Sequence, residues 1–197
     1  MIYFSLLLAF TFPQNLDQIK LIDLIRMNNK ETMEISLDVL NYGFDYKGVT
    51  EFNRDSKNWK HYTWKNDKST EESIYLEDID FLHIYRDDDD GFFLHLILRN
   101  SQGFSSLFKD ITSLKVDKIC SFDKLISQEH NLNRTFQIYK GNNYSISYVI
   151  SSSYKFTSAI TQDKNKTQTD YHVYIMSNNT KNSDLWEEAD YWFTCQD

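Results

Sequence analysis

Glycine, proline and cysteine are scarce in this chain, which has five, one and two of them among 197 residues. A Gly- or Pro-rich linker is therefore excluded, and the length suits a single domain with one core. The net charge of -8 is not interrupted by any Lys- or Arg-rich cluster, so nucleic acid is excluded as a ligand by charge repulsion. The motifs of phosphate-binding loops and of serine hydrolases are also absent, and the sequence indicates no cofactor.

The clearest pattern that is present is a β-hairpin from Phe81 to Arg99. Apolar residues alternate along both arms, and the Asp90-Gly91 step suits a tight turn. The spacing predicts five cross-strand pairs: Phe81/Ile97, Leu82/Leu96, His83/His95, Ile84/Leu94 and Tyr85/Phe93. Because both faces of the hairpin are apolar, we expect it to be the central strand pair of a sheet.

An apolar run extends from Ile2 to Phe12. It is shorter than the roughly 20 residues of a membrane-spanning helix, and its length is typical of the h-region of a signal peptide. We therefore expect residues 1–14 to be a signal peptide, residues 15–197 to form the domain, and the protein to be periplasmic or extracellular. No Lys or Arg lies between Met1 and the apolar run, and no cleavage site with the small-x-small pattern precedes Gln14. An edge strand is therefore the alternative.

Two helices are predicted next, from about Asn15 to Asn29 and from Lys30 to Tyr42. Their short connection makes the pair antiparallel. Met33, Leu37 and Leu40 recur at helical spacing on the second helix, which predicts that this side packs against the sheet. The alternative interpretation of the same side is a partner-binding surface.

A third helix is predicted from Phe104, and it either ends near Lys115 or continues through Cys120. The last third of the chain is β-rich, with strands predicted at 135–140, 144–150, 154–161 and 171–176. Residues 184–193 fit either a terminal helix or a strand. The order of elements predicts an α+β fold, in which an antiparallel sheet of about six to eight strands carries the N-terminal helical hairpin and the mid-chain helix on one face.

This layout, helices and strands followed by a further helix and strands, resembles that of helix-plus-sheet inhibitors of the β-lactamase-inhibitor-protein kind. It is also similar to uncharacterised short exported proteins of Bacteroidetes. The order suggests two similar halves, although no repeat is visible at the level of residues.

Aromatic residues are the candidate binding groups. Side chains of the segment WKHYTWK alternate between two sides, as they do in a strand. The candidates for contacting a sugar or a peptide are Trp59, Tyr62 and Trp64. The alternative is that these rings cover one face of the sheet, since large aromatic side chains are mostly buried.

The candidate metal ligands are His83 and His95, which lie opposite each other in the predicted hairpin. The neighbouring run Asp87–Asp90 does not have the spacing of a calcium-binding loop, and it is typical of a solvated hairpin tip. A metal-dependent hydrolase that uses the histidine pair and the acidic loop is one functional hypothesis.

The preferred hypothesis is an exported, non-catalytic binding protein, inhibitor-like or envelope-associated. Its partner would be another protein or an envelope component, and the oligomeric state is left open. If the chain is exported, the two cysteines, Cys120 and Cys195, are predicted to form a disulfide.

Overall fold

The structure is a computed structural model of the chain. This structure describes residues 19–54, 56–67, 79–89, 91–99, 101–109, 114, 116–127, 132–143, 146–158, 167–177 and 195. The predicted signal peptide, the start of the first predicted helix and the predicted terminal element at 184–193 lie outside these residues. Within them are three α-helices, α1 (Leu21–Arg26), α2 (Thr32–Leu40) and α3 (Ser101–Lys109), and a 3-10 helix at Met27–Asn29 that follows α1.

The described residues also contain one antiparallel sheet, in the order β1-β2-β3-β4-β8-β7-β6-β5. Its strands are β1 (Asp45–Arg54), β2 (Lys57–Asp67), β3 (Ile79–Asp87), β4 (Phe92–Leu98), β5 (Val116–Ser127), β6 (Leu132–Asn143), β7 (Ile146–Ser158) and β8 (Thr167–Ser177). Each half of the chain forms a four-stranded meander, and the last strands of the two meanders, β4 and β8, pair with each other. The predicted α+β class with an antiparallel sheet is confirmed.

The predicted hairpin is the β3–β4 pair, and its register is confirmed. His83 lies opposite His95, and the other four predicted pairs are also present. The turn is closed by the Asp87 N–H, which donates to the Gly91 carbonyl at 3.2 Å. β2 and β8 flank the hairpin, so it occupies the centre of the sheet as expected.

The two faces of the sheet differ because side chains alternate along each strand. The helix face carries an apolar layer that packs with residues of all three helices: Trp64, Leu82, Ile84, Leu94, Leu96 and Val173 from the sheet, and Leu24, Ile35, Val39 and Leu107 from the helices. The opposite face, here called the histidine face, has a second apolar cluster: Trp59, Tyr85, Phe93, Ile138, Tyr174 and Met176. The three helices therefore pack on the helix face, and the buried cluster of the histidine face lies on the opposite side of the sheet.

The helical hairpin is tied to the sheet by polar contacts. Arg86 of β3 donates to the carbonyls of Met27 and Lys30, which lie in the connection between α1 and α2. α2 ends at Leu40, and Gly43 shortly after it adopts φ +83° and donates its N–H to the Leu40 carbonyl at 2.9 Å. This left-handed conformation favours glycine, as is common just after a helix.

Three elements differ from the sequence-based expectation. Residues 116–127 form β5 rather than a continuation of the third helix through Cys120, and β1 was not predicted as a strand. α3 begins at Ser101 instead of Phe104. β5 pairs with β6 along almost its whole length. These contacts between strands decide the structure of residues 116–127, and the helical spacing of apolar residues in the preceding segment does not.

Candidate functional site

Four of the five histidines of the chain lie close together on the histidine face. They come from four adjacent strands: His61 from β2, His83 from β3, His95 from β4 and His172 from β8. Thr63 lies opposite His83, and Tyr174 lies opposite His95. The two residues therefore flank the His83/His95 pair in one row across the sheet. We call the four side chains the histidine array.

Ring nitrogens connect the array in two pairs. His61 Nε2 lies 3.0 Å from His83 Nδ1, and His95 Nε2 lies 2.9 Å from His172 Nδ1. The rings of His83 and His95, which join the two pairs, have centroids 5.8 Å apart. Both nitrogen contacts are hydrogen-bond distances, which requires one donor and one acceptor nitrogen in each pair.

Aromatic rings hold the histidines in position. Tyr85 stacks on His61 with a centroid distance of 4.2 Å and an interplanar angle of 5°. Tyr174 stacks on His95 at 4.4 Å. Such packing restricts the rotamers of the imidazoles, so the array is an ordered surface rather than a set of independent side chains.

Burial favours the uncharged form of the array. It lowers the pKa of His61 below the ordinary value, and burial together with the neighbouring His61 lowers the pKa of His83 to about 4. The pKa of His95 lies well below its ordinary value, first because of burial and then because of His83 and Arg134. At neutral pH these three imidazoles therefore keep lone pairs available for hydrogen bonds or for a metal ion.

The two residues of the predicted metal pair lie opposite each other as expected, and their ring nitrogens have other partners. His83 and His95 are neighbours, but each directs a ring nitrogen to another histidine, His61 or His172. Among the residues described, no group of three or more His, Cys, Asp or Glu side chains could hold a metal ion. His61 and His172 were not among the predicted ligands, because their positions depend on the β2–β3 and β4–β8 pairings.

The acidic loop forms a separate feature. Asp87 lies four residues beyond His83 along β3, about 13 Å at the usual strand rise. Its Oδ1 accepts hydrogen bonds from the N–H groups of Asp89 at 3.0 Å and Gly91 at 2.5 Å. Its Oδ2 lies 3.0 Å from Lys57 Nζ, and its side chain is fully buried. The position of Asp87 therefore indicates a role in the turn and not beside the histidines.

Replacing Asp87 should consequently affect stability. In Asp87→Ala, two backbone N–H groups lose their acceptor and the Lys57 ammonium loses its nearest carboxylate, so we expect the free energy of unfolding to fall by about 2 kcal/mol. Asp89→Ala is the matched control, because the Asp89 side chain is 74% exposed and its nearest Lys57 contact is 3.8 Å. Urea denaturation measures both variants, and equal losses would contradict the role assigned to Asp87.

The candidate binding aromatics are mostly buried. Trp59 and Trp64 have no exposed surface and lie on opposite faces of the sheet, Trp59 in the cluster of the histidine face and Trp64 in the core beneath the helices. Trp64 Nε1 donates to Ser36 Oγ at 3.0 Å, which links it to α2. Tyr62 is partly buried against the same core. In this structure neither tryptophan can contact a partner.

No protein-family model, curated protein or solved structure matches this chain. Candidate surfaces are therefore judged on their geometry alone. In the part of the chain that the structure describes, none of the helices has the length and apolar character needed to span a membrane.

The outer side of α2 is a second candidate surface. The predicted burial of Met33, Leu37 and Leu40 is wrong: their side chains are 77%, 63% and 54% exposed. α2 has apolar residues on two sides, and it packs on the sheet through Ile35 and Val39 instead. The hydrogen bond from Trp64 to Ser36 lies on the packed side and fixes the same rotation of the helix. The residues Met33, Leu37 and Leu40 are here called the α2 stripe.

Proposed function

We propose that this chain is an exported, non-catalytic protein that binds another protein through the α2 stripe. The observation that carries the proposal is the exposure of three large apolar side chains on one side of a short helix. They recur at positions i, i+4 and i+7, which is the spacing of the anchor residues when an amphipathic helix docks in an apolar groove. Exposed apolar residues that cluster in this way are typical of interaction sites.

Charge beside the stripe indicates the chemistry of the partner. Glu31, Glu34 and Asp38 recur along one flank of α2, as helical spacing requires. Glu31 and Glu34 form a capping box, and Asp38 pairs with Lys30, so these side chains are ordered. The partner we propose is a protein whose apolar groove is bordered by basic residues. A second copy of this chain fits less well, because the net charge of -8 would oppose its approach.

Export is supported by the disulfide between Cys120 and Cys195. Disulfides persist in oxidising compartments, such as the periplasm and the extracellular space, and are rare in the cytosol. The proposed partner is therefore a protein of the cell envelope or of the extracellular space.

The stripe can be tested with a photo-crosslinking residue in place of Leu37. The control carries the same group in place of Val49, an apolar residue of β1 that is 47% exposed. We expect a heterologous envelope or extracellular protein to be crosslinked from position 37 and not from position 49. Equal products at the two positions, no product at position 37, or a product containing only this chain would overturn the proposal.

The crosslinked protein, once purified, allows a quantitative measurement. Leu37→Asp should weaken its binding at least tenfold, since a charge would enter an apolar groove. Glu34→Lys should weaken binding less and reduce its dependence on salt. Val49→Asp is the matched control and should leave the affinity unchanged in calorimetric titrations. The free energy of unfolding of Leu37→Asp should stay within about 0.5 kcal/mol of that of the parent protein.

A further inference from the structure

Two imidazole nitrogens and one hydroxyl oxygen lie close together at one end of the histidine array. His61 Nε2 and His83 Nδ1 are 3.0 Å apart, and Thr63 Oγ1 lies 3.2 Å from the first and 3.5 Å from the second. All three residues belong to the neighbouring strands β2 and β3, and each side chain is partly exposed. The three side chains are therefore not enclosed in the core.

A neighbouring residue orients the first imidazole. Thr50 Oγ1 of β1 lies 3.5 Å from His61 Nδ1, on the other side of the ring. A proton on Nδ1 that faces this hydroxyl leaves the lone pair of Nε2 directed at His83 and Thr63. Hydrogen bonding of the second ring nitrogen is the usual way in which proteins orient a metal-binding histidine.

The distances fit a particular class of ion. Two imidazole nitrogens about 2.05 Å from a metal are about 2.9 Å apart at a right angle and about 3.3 Å apart at a tetrahedral angle. The 3.0 Å between His61 Nε2 and His83 Nδ1 lies between these two spacings, so both nitrogens can reach one transition-metal ion with little movement.

We propose that His61, His83 and Thr63 form a surface site for a divalent transition-metal ion, with copper(II) bound most tightly. Binding requires the proton of His83 to lie on Nε2, so that neither facing nitrogen is protonated. The two imidazoles then supply the stronger ligands, the threonine hydroxyl supplies a weaker one, and water completes the coordination. Local charge does not oppose a cation, because Lys65, the next residue on this side of β2, is paired with Asp67 at 2.9 Å. Copper(II) is favoured by its place at the maximum of the divalent series for nitrogen ligands.

This site goes beyond the proposed function and is independent of it. α2 packs on the helix face, whereas His61, His83 and Thr63 lie on the histidine face. A metal ion at this position is therefore separated from the α2 stripe by the sheet itself. The two proposals can fail separately, since Leu37→Asp leaves the three ligands unchanged.

The test is titration of the purified full chain with copper(II), nickel(II) or zinc chloride, followed by calorimetry. We expect one copper(II) ion per chain and an electron paramagnetic resonance spectrum with coupling to two imidazole nitrogens. His61→Ala should lower copper(II) affinity at least tenfold and remove the coupling to one nitrogen. Thr63→Val, which has nearly the same shape, should lower the affinity about threefold, as expected for a weak ligand. Circular dichroism verifies that the variants are folded.

Two control variants separate this site from other histidines. His130→Ala removes the histidine that lies outside the described residues, and His172→Ala removes one from the far end of the array. Both should bind copper(II) as the parent protein does. The proposal would be overturned by unchanged affinity in His61→Ala, by loss of binding in either control, or by the absence of saturable binding.

Discussion

Removal of the Cys120–Cys195 disulfide is expected to lower the free energy of unfolding by about 4 kcal/mol. The bond joins residues separated by 75 positions, so it limits the conformations of a long unfolded segment. Cys120 lies on β5 and packs against the apolar cluster of the histidine face. The bond therefore anchors the end of the chain to the strand at one edge of the sheet.

The measurement compares urea unfolding of the parent protein with that of a Cys120→Ala/Cys195→Ala variant. The parent protein in dithiothreitol is the internal control, because reduction removes the same constraint without changing side-chain volume. The reduced parent and the variant should unfold at similar urea concentrations, and the variant should not respond to dithiothreitol. A loss below about 1 kcal/mol in both would contradict a large stabilising role for the bond.

Acidification from pH 7 to pH 5 is expected to lower the free energy of unfolding, by about 1 kcal/mol through His83 and further through His95. Burial lowers the pKa of His83 to about 4 and that of His95 well below the ordinary value of 6.5. Between the lowered and the ordinary pKa, the unfolded chain binds more protons than the folded chain. Stability is therefore highest above about pH 6.5, falls as the pH drops through this window, and the contribution of His83 levels off below about pH 4.

The magnitude for His83 follows from its pKa. A folded pKa of about 4 corresponds to a loss of about 2 kcal/mol between pH 7 and pH 5, which solvent screening reduces to about 1 kcal/mol for the partly exposed His83. Carboxylates titrate mainly at lower pH, so this interval isolates the histidines. Unfolding is measured in urea at pH 7, 6 and 5 with EDTA present, so that no metal ion competes with protons.

Variants assign the pH dependence to the array. His83→Gln should remove about 1 kcal/mol of the loss between pH 7 and pH 5, and His83→Gln/His95→Gln should remove more. His130→Gln should keep the full dependence of the parent protein. The same slope in the double variant and in the parent would show that other groups cause the acid sensitivity.

Local sequence patterns determined the elements whose partners are near in the chain. The β3–β4 register followed from the alternation of residues and from a short turn, because a hairpin turn sets which residues face each other. The second helix and its end at Gly43 were predictable for the same reason, since caps and helical spacing are local. The hairpin register also placed His83 beside His95, so half of the array was visible in the sequence.

Only the tertiary structure decided which surfaces these elements expose. α2 is apolar on two sides, and its rotation was decided by the packing of Ile35 and Val39 on the sheet, which left Leu37 outside. His172 joins His95 across 77 residues of sequence because β8 pairs with β4. Pairing between strands so distant in sequence depends on the packing of the whole sheet, and no local pattern specifies it.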